Sequence, residues 1–420
     1  MWSLLPALYA KYFGIKLTAV ASTVFVMRLF DGFADLGVGV LSDLHRDAGG
    51  TRKLWVVVGS ILLLGACYLL FIPSLPVTSL YYLISSVLFF LCFAICEIPH
   101  LSWGSEITSD YSDRATVYGI RNIASRIGTG LFYSLPMWPI FTSREFTPEV
   151  LRFAEYVGVI LVGVTVLWPV LFAPSGKCPR VKSTESLGSM FRAAAANKPL
   201  RLYIVAGACC TLCYGMWYGL IYIYLDTYLG KGEHASSIFL GSTILSTLST
   251  PIWLKLIRKS SKAVTWNVGV GLFLVQLILT VMIRPSDSAW LVFGVILIAN
   301  LCFTCHDVAA ISIMGDVVDY GRMRQPRNQG GTYFAVVNLV SKAGLGLGGG
   351  ISIAIAGLFG FDASKMTHSD WSIIGLKTGL IIVPFVLALC AIYLISLTPI
   401  DPRRHGIIQR RLQSRLKQAT

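Results

Sequence analysis

Charge is scarce in this chain. Only 13% of its 420 residues are Asp, Glu, Lys or Arg, against about 25% in ordinary soluble domains. A soluble chain of this length would divide into two or three domains, each needing a charged surface, and that surface is missing. The start has no basic n-region and no small-residue cleavage site, which excludes a secretory signal peptide. No nucleophile–base pair and no metal-ligand spacing stands out, so an enzyme is set aside. The glycines from Gly344 to Gly350 are followed by no Lys-Ser/Thr, which excludes a phosphate loop; close helix packing or a flexing gate explains them better. The bases are dispersed among loops rather than gathered into a patch, which excludes nucleic acid as a partner.

What is present is apolar: 55% hydrophobic residues, at a mean hydropathy of +0.68. Polar clusters separate runs of about 20 residues, the length that spans a bilayer. Eleven runs fit, at 17–42, 54–73, 78–104, 116–138, 151–173, 202–225, 235–256, 264–283, 289–314, 330–358 and 372–397. The apolar start from Trp2 to Tyr12 is too short to cross and reads as the second half of a first helix, making twelve. Positive residues set the orientation. With alternating spans, the Arg46/Arg52/Lys53 loop, the Lys255–Lys262 loop, Arg322/Arg324/Arg327 and the Arg403–Lys417 tail all fall on one side, expected to be cytoplasmic. The formal net charge of +14 is then mostly topology, with contact between the tail and anionic lipid as a second use. None of the ten cysteines clusters in an outward loop, which argues against disulfides.

The expected organisation is a membrane half at 1–173, a cytoplasmic linker at 174–200, a second membrane half at 201–398 and a basic cytoplasmic tail at 399–420. The halves echo each other faintly, because the second helix of each ends in a basic loop. Six plus six pseudo-symmetric helices place a solute at the midplane, with alternating access.

Arg28, Asp31 and Asp35 interrupt an apolar helix at spacings of three and four, on roughly one face. Each such group costs about 2.5–3.5 kcal/mol at membrane depth, so the stripe points to a cation or proton site inside a bundle. Glu97 appears at similar depth on another inward-running helix, and three carboxylates can ligate Na⁺ or share a proton. The plainer alternative is that these acids neutralise Arg28 and Arg121. Asp316 and Asp319 fall at the cytoplasmic end of a helix and are expected to pair with bases there. Lys342 lies about 12 residues, or about 18 Å, into an apolar helix and needs a partner, for which Asp307 is the candidate. Tyr214, Trp217, Tyr218 and Tyr222 form a helical stripe that suits either a cavity lining that stacks on sugar rings or simple packing. Cys302-Phe-Thr-Cys305-His306 has the letters of a haem attachment site but lies inside an apolar span; His306 reads as a helix-contact histidine, or as a proton relay beside Asp307.

These residues together resemble a known family. Arg28-x-x-Asp31-x-x-x-Asp35, Gly39-x-Leu-Ser-Asp43, Glu97-Ile-Pro, Asp316-Val-Val-Asp319-Tyr-Gly and Lys342 are similar to motifs of the glycoside–pentoside–hexuronide:cation symporters, the melibiose permease branch of the major facilitator superfamily. The resemblance covers nearly the whole chain and implies an all-α membrane protein of major facilitator fold. It implies a cation site at Asp31, Asp35 and Glu97 (a metal site if the ion is Na⁺) and a substrate site with Arg121, Glu97 and Lys342. Trp103, Tyr214 and Trp217 are added to that site as aromatic candidates. Arg28, Asp307, Asp316 and Asp319 are expected to balance charge and gate. Departures from the family pattern are Glu97 for Asp, Ala94 for a hydroxyl, Leu101 for an aromatic and Gln329 for Glu. The expected activity is symport of a sugar or sugar acid with Na⁺ or H⁺, in the plasma (inner) membrane, with no cofactor and no obligate protein partner. The rivals are a lysolipid-type carrier on the same fold and a non-transporting sensor.

Overall fold

The computed structural model describes residues 4–74, 76–107, 111–175, 197–324, 330–365, 367–398, 407, 410 and 411. Gln329 and most of the linker and basic tail lie outside the described residues, as do the side chains of Arg322, Arg324 and Arg327.

The chain is helical throughout its described length: α1 (Leu4–Phe13), α2 (Leu17–Asp47), α3 (Arg52–Phe71), α4 (Ser79–Ile107), α5 (Tyr111–Ser134), α6 (Pro148–Phe172), α7 (Lys198–Ile223), α8 (Gly232–Leu248), α9 (Thr250–Lys259), α10 (Lys262–Met282), α11 (Ala289–Arg324), α12 (Gly330–Leu358), α13 (Asp370–Lys377) and α14 (Val383–Ser396). A π-helical turn joins α13 to α14 into one span, and Ser249 breaks a single span into α8 and α9. Among the described residues, nine spans are long and apolar enough to cross a membrane. α2, which holds Arg28, Asp31 and Asp35, is not among the nine. Helix starts follow the capping residues: Thr147, Asn197, Ser261 and Ser369 each accept a hydrogen bond from a backbone N–H three residues on. α11 runs ten residues past the expected end at 314, because Gly315–Arg324 continues the helix after its apolar run stops. Phe33, Trp168, Trp290 and Leu358 are among the most exposed side chains, as expected of surfaces that meet lipid.

Two compact units divide the chain. The first comprises Met1–Lys182 with Leu225–Ser237 and Asp362–His368; the second comprises Ser183–Tyr224, Ile238–Phe361 and Ser369–Thr420. The two short segments of the first unit, Leu225–Ser237 and Asp362–His368, lie within the 201–398 range of the expected second membrane half. Side-chain reach explains the first: Lys11 pairs with Glu145 at 3.2 Å and with Asp226 at 2.8 Å, and Ser236 Oγ donates to the Arg144 carbonyl.

In the first unit α3 packs between α4 and α6, and α2 packs on α4. Ala34, Val38 and Ala94 form the α2–α4 core, and a Cβ at Gly59 would strike the backbone of Ile95 and Cys96. In the second unit α7 and α12 are in the closest contact. A Cβ at Gly215 would meet the Leu345 carbonyl, and one at Gly348 would meet the Leu212 carbonyl and the Met216 amide. The glycine run in α12 is thus a packing surface that lets two backbones touch. Gly348→Val is expected to lower thermal stability in detergent by about 1–3 kcal/mol, the usual cost of overpacking. Gly271→Ala, whose Cβ would meet nothing within 4 Å, serves as the neutral control. Equal melting temperatures for the two variants would refute this account of the α7–α12 contact.

Candidate functional site

Helix geometry first brings Arg28 and Asp31 together. Arg28 Nη1 donates to Asp31 Oδ2 at 3.4 Å, and the two side chains are 10% and 8% exposed. The guanidinium also lies 5.2 Å from the centre of the Phe90 ring on α4, a cation–π contact that shields it from the apolar surroundings. Asp35, one turn on, is half-buried. The stripe therefore carries two carboxylates against one guanidinium.

Glu97 on α4 accepts a hydrogen bond from Arg121 Nη2 on α5, and both side chains are partly exposed. Ile98 touches the Gly39 position of α2, so Glu97 lies about one helical turn beyond the level of Asp35. Ala94 is fully buried against Ala34 and Val38, where its small side chain lets α2 approach α4. Among the described residues, no three His, Cys, Asp or Glu side chains form a group able to hold a metal ion. Asp31 and Glu97 are each paired with an arginine instead.

The aromatic candidates sit in protein cores. Trp103 is 2% exposed; its Nε1 donates to the Pro174 carbonyl at 2.9 Å, and Lys53 Nζ lies 5.6 Å from its ring centre. It anchors the end of α6 rather than offering a free stacking face. Tyr214 and Trp217 are buried in the second unit, edge-on to Phe303, with Phe273 and His306 also against Tyr214. Their helical spacing therefore reflects packing in this structure rather than an open cavity lining. His306 Nδ1 accepts from Trp266 Nε1 at 3.0 Å, which leaves that nitrogen unprotonated and makes His306 a helix-contact histidine. A small cavity beside it is lined by Tyr203, Gly207, Val337, Val340 and Ser341.

Asp316 is buried on α11 and accepts from Lys262 Nζ at 2.5 Å, while Lys262 also donates to the Ser312 carbonyl. Asp319 is half-buried one turn later, Asp307 is on an exposed face of α11, and Lys342 is half-buried in α12.

Sequence reasoning assigned no role to a second network. Arg52, at the start of α3, donates from Nε to Glu106 Oε1 at 3.1 Å, from Nη1 to Ser42 Oγ at 2.8 Å and from Nη2 to Asp43. Arg46 Nε donates to the other oxygen of Glu106 at 3.1 Å. The ends of α2 and α4 are thereby tied to the start of α3. The signal was present in Gly39-x-Leu-Ser-Asp43 followed closely by Arg52, but nothing in the sequence points to Glu106, 54 residues further on.

The family model for MFS/sugar transport proteins matches residues 3–402. The inner membrane symporter YicJ of Escherichia coli is 23% identical over 92% of this chain and 84% of its own length. The E. coli glucuronide carrier protein homolog is 21% identical over 97% of this chain and 90% of its own. Among solved structures, a mutant form of the nucleoside transporter NupG superposes with a TM-score of 0.69 at 14% identity, covering 94% of each chain; that likeness concerns the fold.

Proposed function

This chain belongs to the MFS/sugar transport protein family, and from that premise we propose that it is a symporter coupling inward movement of a glycoside or sugar acid to a cation gradient. It is a secondary transporter of the major facilitator fold, a multi-pass membrane protein and not an enzyme. The observation that carries the finer reading is the pairing of acids with arginines inside membrane helices: Asp31 with Arg28, and Glu97 with Arg121.

Such pairs are reversible occupants of a site. A cation or proton arriving at Asp31, Asp35 and Glu97 competes with the guanidinium groups for the same oxygens. Once Glu97 is neutralised, the fork of Arg121 is free to donate to a solute, and a carboxylate is its best geometric match. This favours a sugar acid, in keeping with the glucuronide named for one relative. Coupling follows because the ion and the solute each lower the cost of binding the other. Within each unit, the Lys262–Asp316 pair and the Arg52 network would break and reform as access alternates. The basic loops support a reading in which the linker and C-terminus face the cytoplasm.

The test is uptake by proteoliposomes of methyl β-D-glucuronide and methyl β-D-glucoside under an imposed Na⁺ or H⁺ gradient. Accumulation of the glucuronide with one of the two ions, and its loss in Arg121→Gln, is the expected result. Absence of gradient-driven uptake for both probes would reject the reading.

A further inference from the structure

We propose that Glu155 of α6 is a proton-binding site of this carrier, serving beside the arginine-paired acids. This rests on the transport reading above only for its role in coupling.

α6 begins at the Thr147 cap with Pro148 and Glu149, where an acid suits the helix terminus. Glu155 is eight residues past that cap, about 12 Å along the helix axis and beyond the reach of the terminus. It shares the buried face of α6 with Val150, Leu151 and Ala154, and the residue is 3% exposed. α6 forms the membrane span at Pro148–Phe172.

Five other buried or half-buried acids of the first unit have a cation within reach. Asp31 has Arg28, Glu97 has Arg121, Glu106 has Arg46 and Arg52, and Asp226 and Glu145 share Lys11. Among the described residues Glu155 has neither an ion pair nor a hydrogen-bond donor. Arg152, three residues earlier on the same helix, is exposed and makes no bridge to it. The Cys67 thiol of α3, which packs on α6, interacts electrostatically with Glu155 and with Cys92 of α4. The single turn Leu135–Met137, also packed on α6, contributes no titratable group.

An ionised carboxylate in such surroundings has nothing to replace its hydration, and a Cys thiol is too weak a donor to do so. A carboxylic acid is tolerated there. The fold therefore holds a carboxylate that accepts a proton from H₃O⁺ while water reaches it, keeps it as the neutral acid when water is excluded, and returns it to water as H₃O⁺ when water reaches it again. Among the described residues no neighbouring cation competes for that oxygen, which suits a proton rather than a metal ion.

Infrared difference spectroscopy of the full chain in lipid tests the site without any solute. At neutral pH the wild type is expected to show a carboxylic-acid carbonyl band that shifts in D₂O and disappears in Glu155→Gln. Absence of a band assignable to Glu155, or a band that never exchanges, overturns the proposal. If Glu155→Gln does not fold, Glu155→Asp should retain the band at a displaced frequency, and its loss there counts against the site equally. In proteoliposomes, Glu155→Gln should retain exchange of methyl β-D-glucuronide across the membrane but lose at least tenfold of its accumulation under an acid-outside gradient. Unchanged accumulation overturns the coupling role. A wild type that moves no glucuronide in either assay defeats the transport reading, and the infrared result still judges the proton site.

Discussion

Arg52→Ala should destabilise the protein by about 3 kcal/mol, toward the lower end of what breaking a buried ion pair costs. The side chain is 5% exposed and donates in three directions, to Glu106, Ser42 and Asp43. Removing it strands the Glu106 carboxylate, itself 8% exposed, with Arg46 as its one remaining cation in this network. That surviving contact keeps the expected loss from reaching the upper end of the range. Arg52→Lys should recover only part of the stability, because an ammonium cannot reproduce the fan of a guanidinium across three acceptors. Adding Glu106→Gln to Arg52→Ala should not restore stability, since Arg46 then loses the carboxylate it pairs with. Thermal unfolding in detergent ranks the four proteins, and an Arg52→Ala variant within about 0.5 kcal/mol of wild type would show the network to be a surface contact of no energetic weight.

The same network marks how far the sequence could be read. Membrane class and helix order were legible because apolar runs of bilayer length are separated by basic loops, and nothing else gives that pattern. The α2 stripe was legible because three ionisable groups at helical spacing in an apolar run are costly. Their pairing was only half legible. Arg28 reaches Asp31 within one turn, as spacing requires, but Glu97 and Arg121 lie on different helices, 24 residues apart. Asp226 meets Lys11 across 215 residues, a contact no local pattern announces. Aromatic spacing could not decide between two readings for a physical reason: Tyr214 and Trp217 present the same periodicity whether a helix face lines a cavity or packs against rings such as Phe273 and Phe303. Glu155 escaped notice because Glu149 and Arg152 nearby make that stretch look like an ordinary polar helix start.

Asp35→Asn should abolish gradient-driven accumulation while leaving the protein folded, and the contrast with Asp31→Asn is the diagnostic. Asp31 is nearly buried against Arg28. Its neutralisation takes the charged partner at 3.4 Å from a guanidinium that is 10% exposed, so yield and thermal stability should fall along with transport. Asp35 is half-buried one turn away, and its replacement removes one carboxylate from the stripe while the Arg28–Asp31 pair stays in place. With the stripe reduced to one carboxylate against one guanidinium, a cation gains little by entering. A loss of about 1.4 kcal/mol in the coupling between ion and solute already lowers accumulation tenfold, and a missing carboxylate ligand should exceed that. Exchange of solute across the membrane, which needs no net ion movement, should continue. Arg28→Gln combined with Asp31→Asn should regain stability but not coupling, separating the structural part of Asp31 from the ion-binding part. Should Asp35→Asn accumulate solute as well as wild type, Asp35 is not a ligand of the coupling ion, and Asp31, Glu97 and Glu155 are the acids left to carry it.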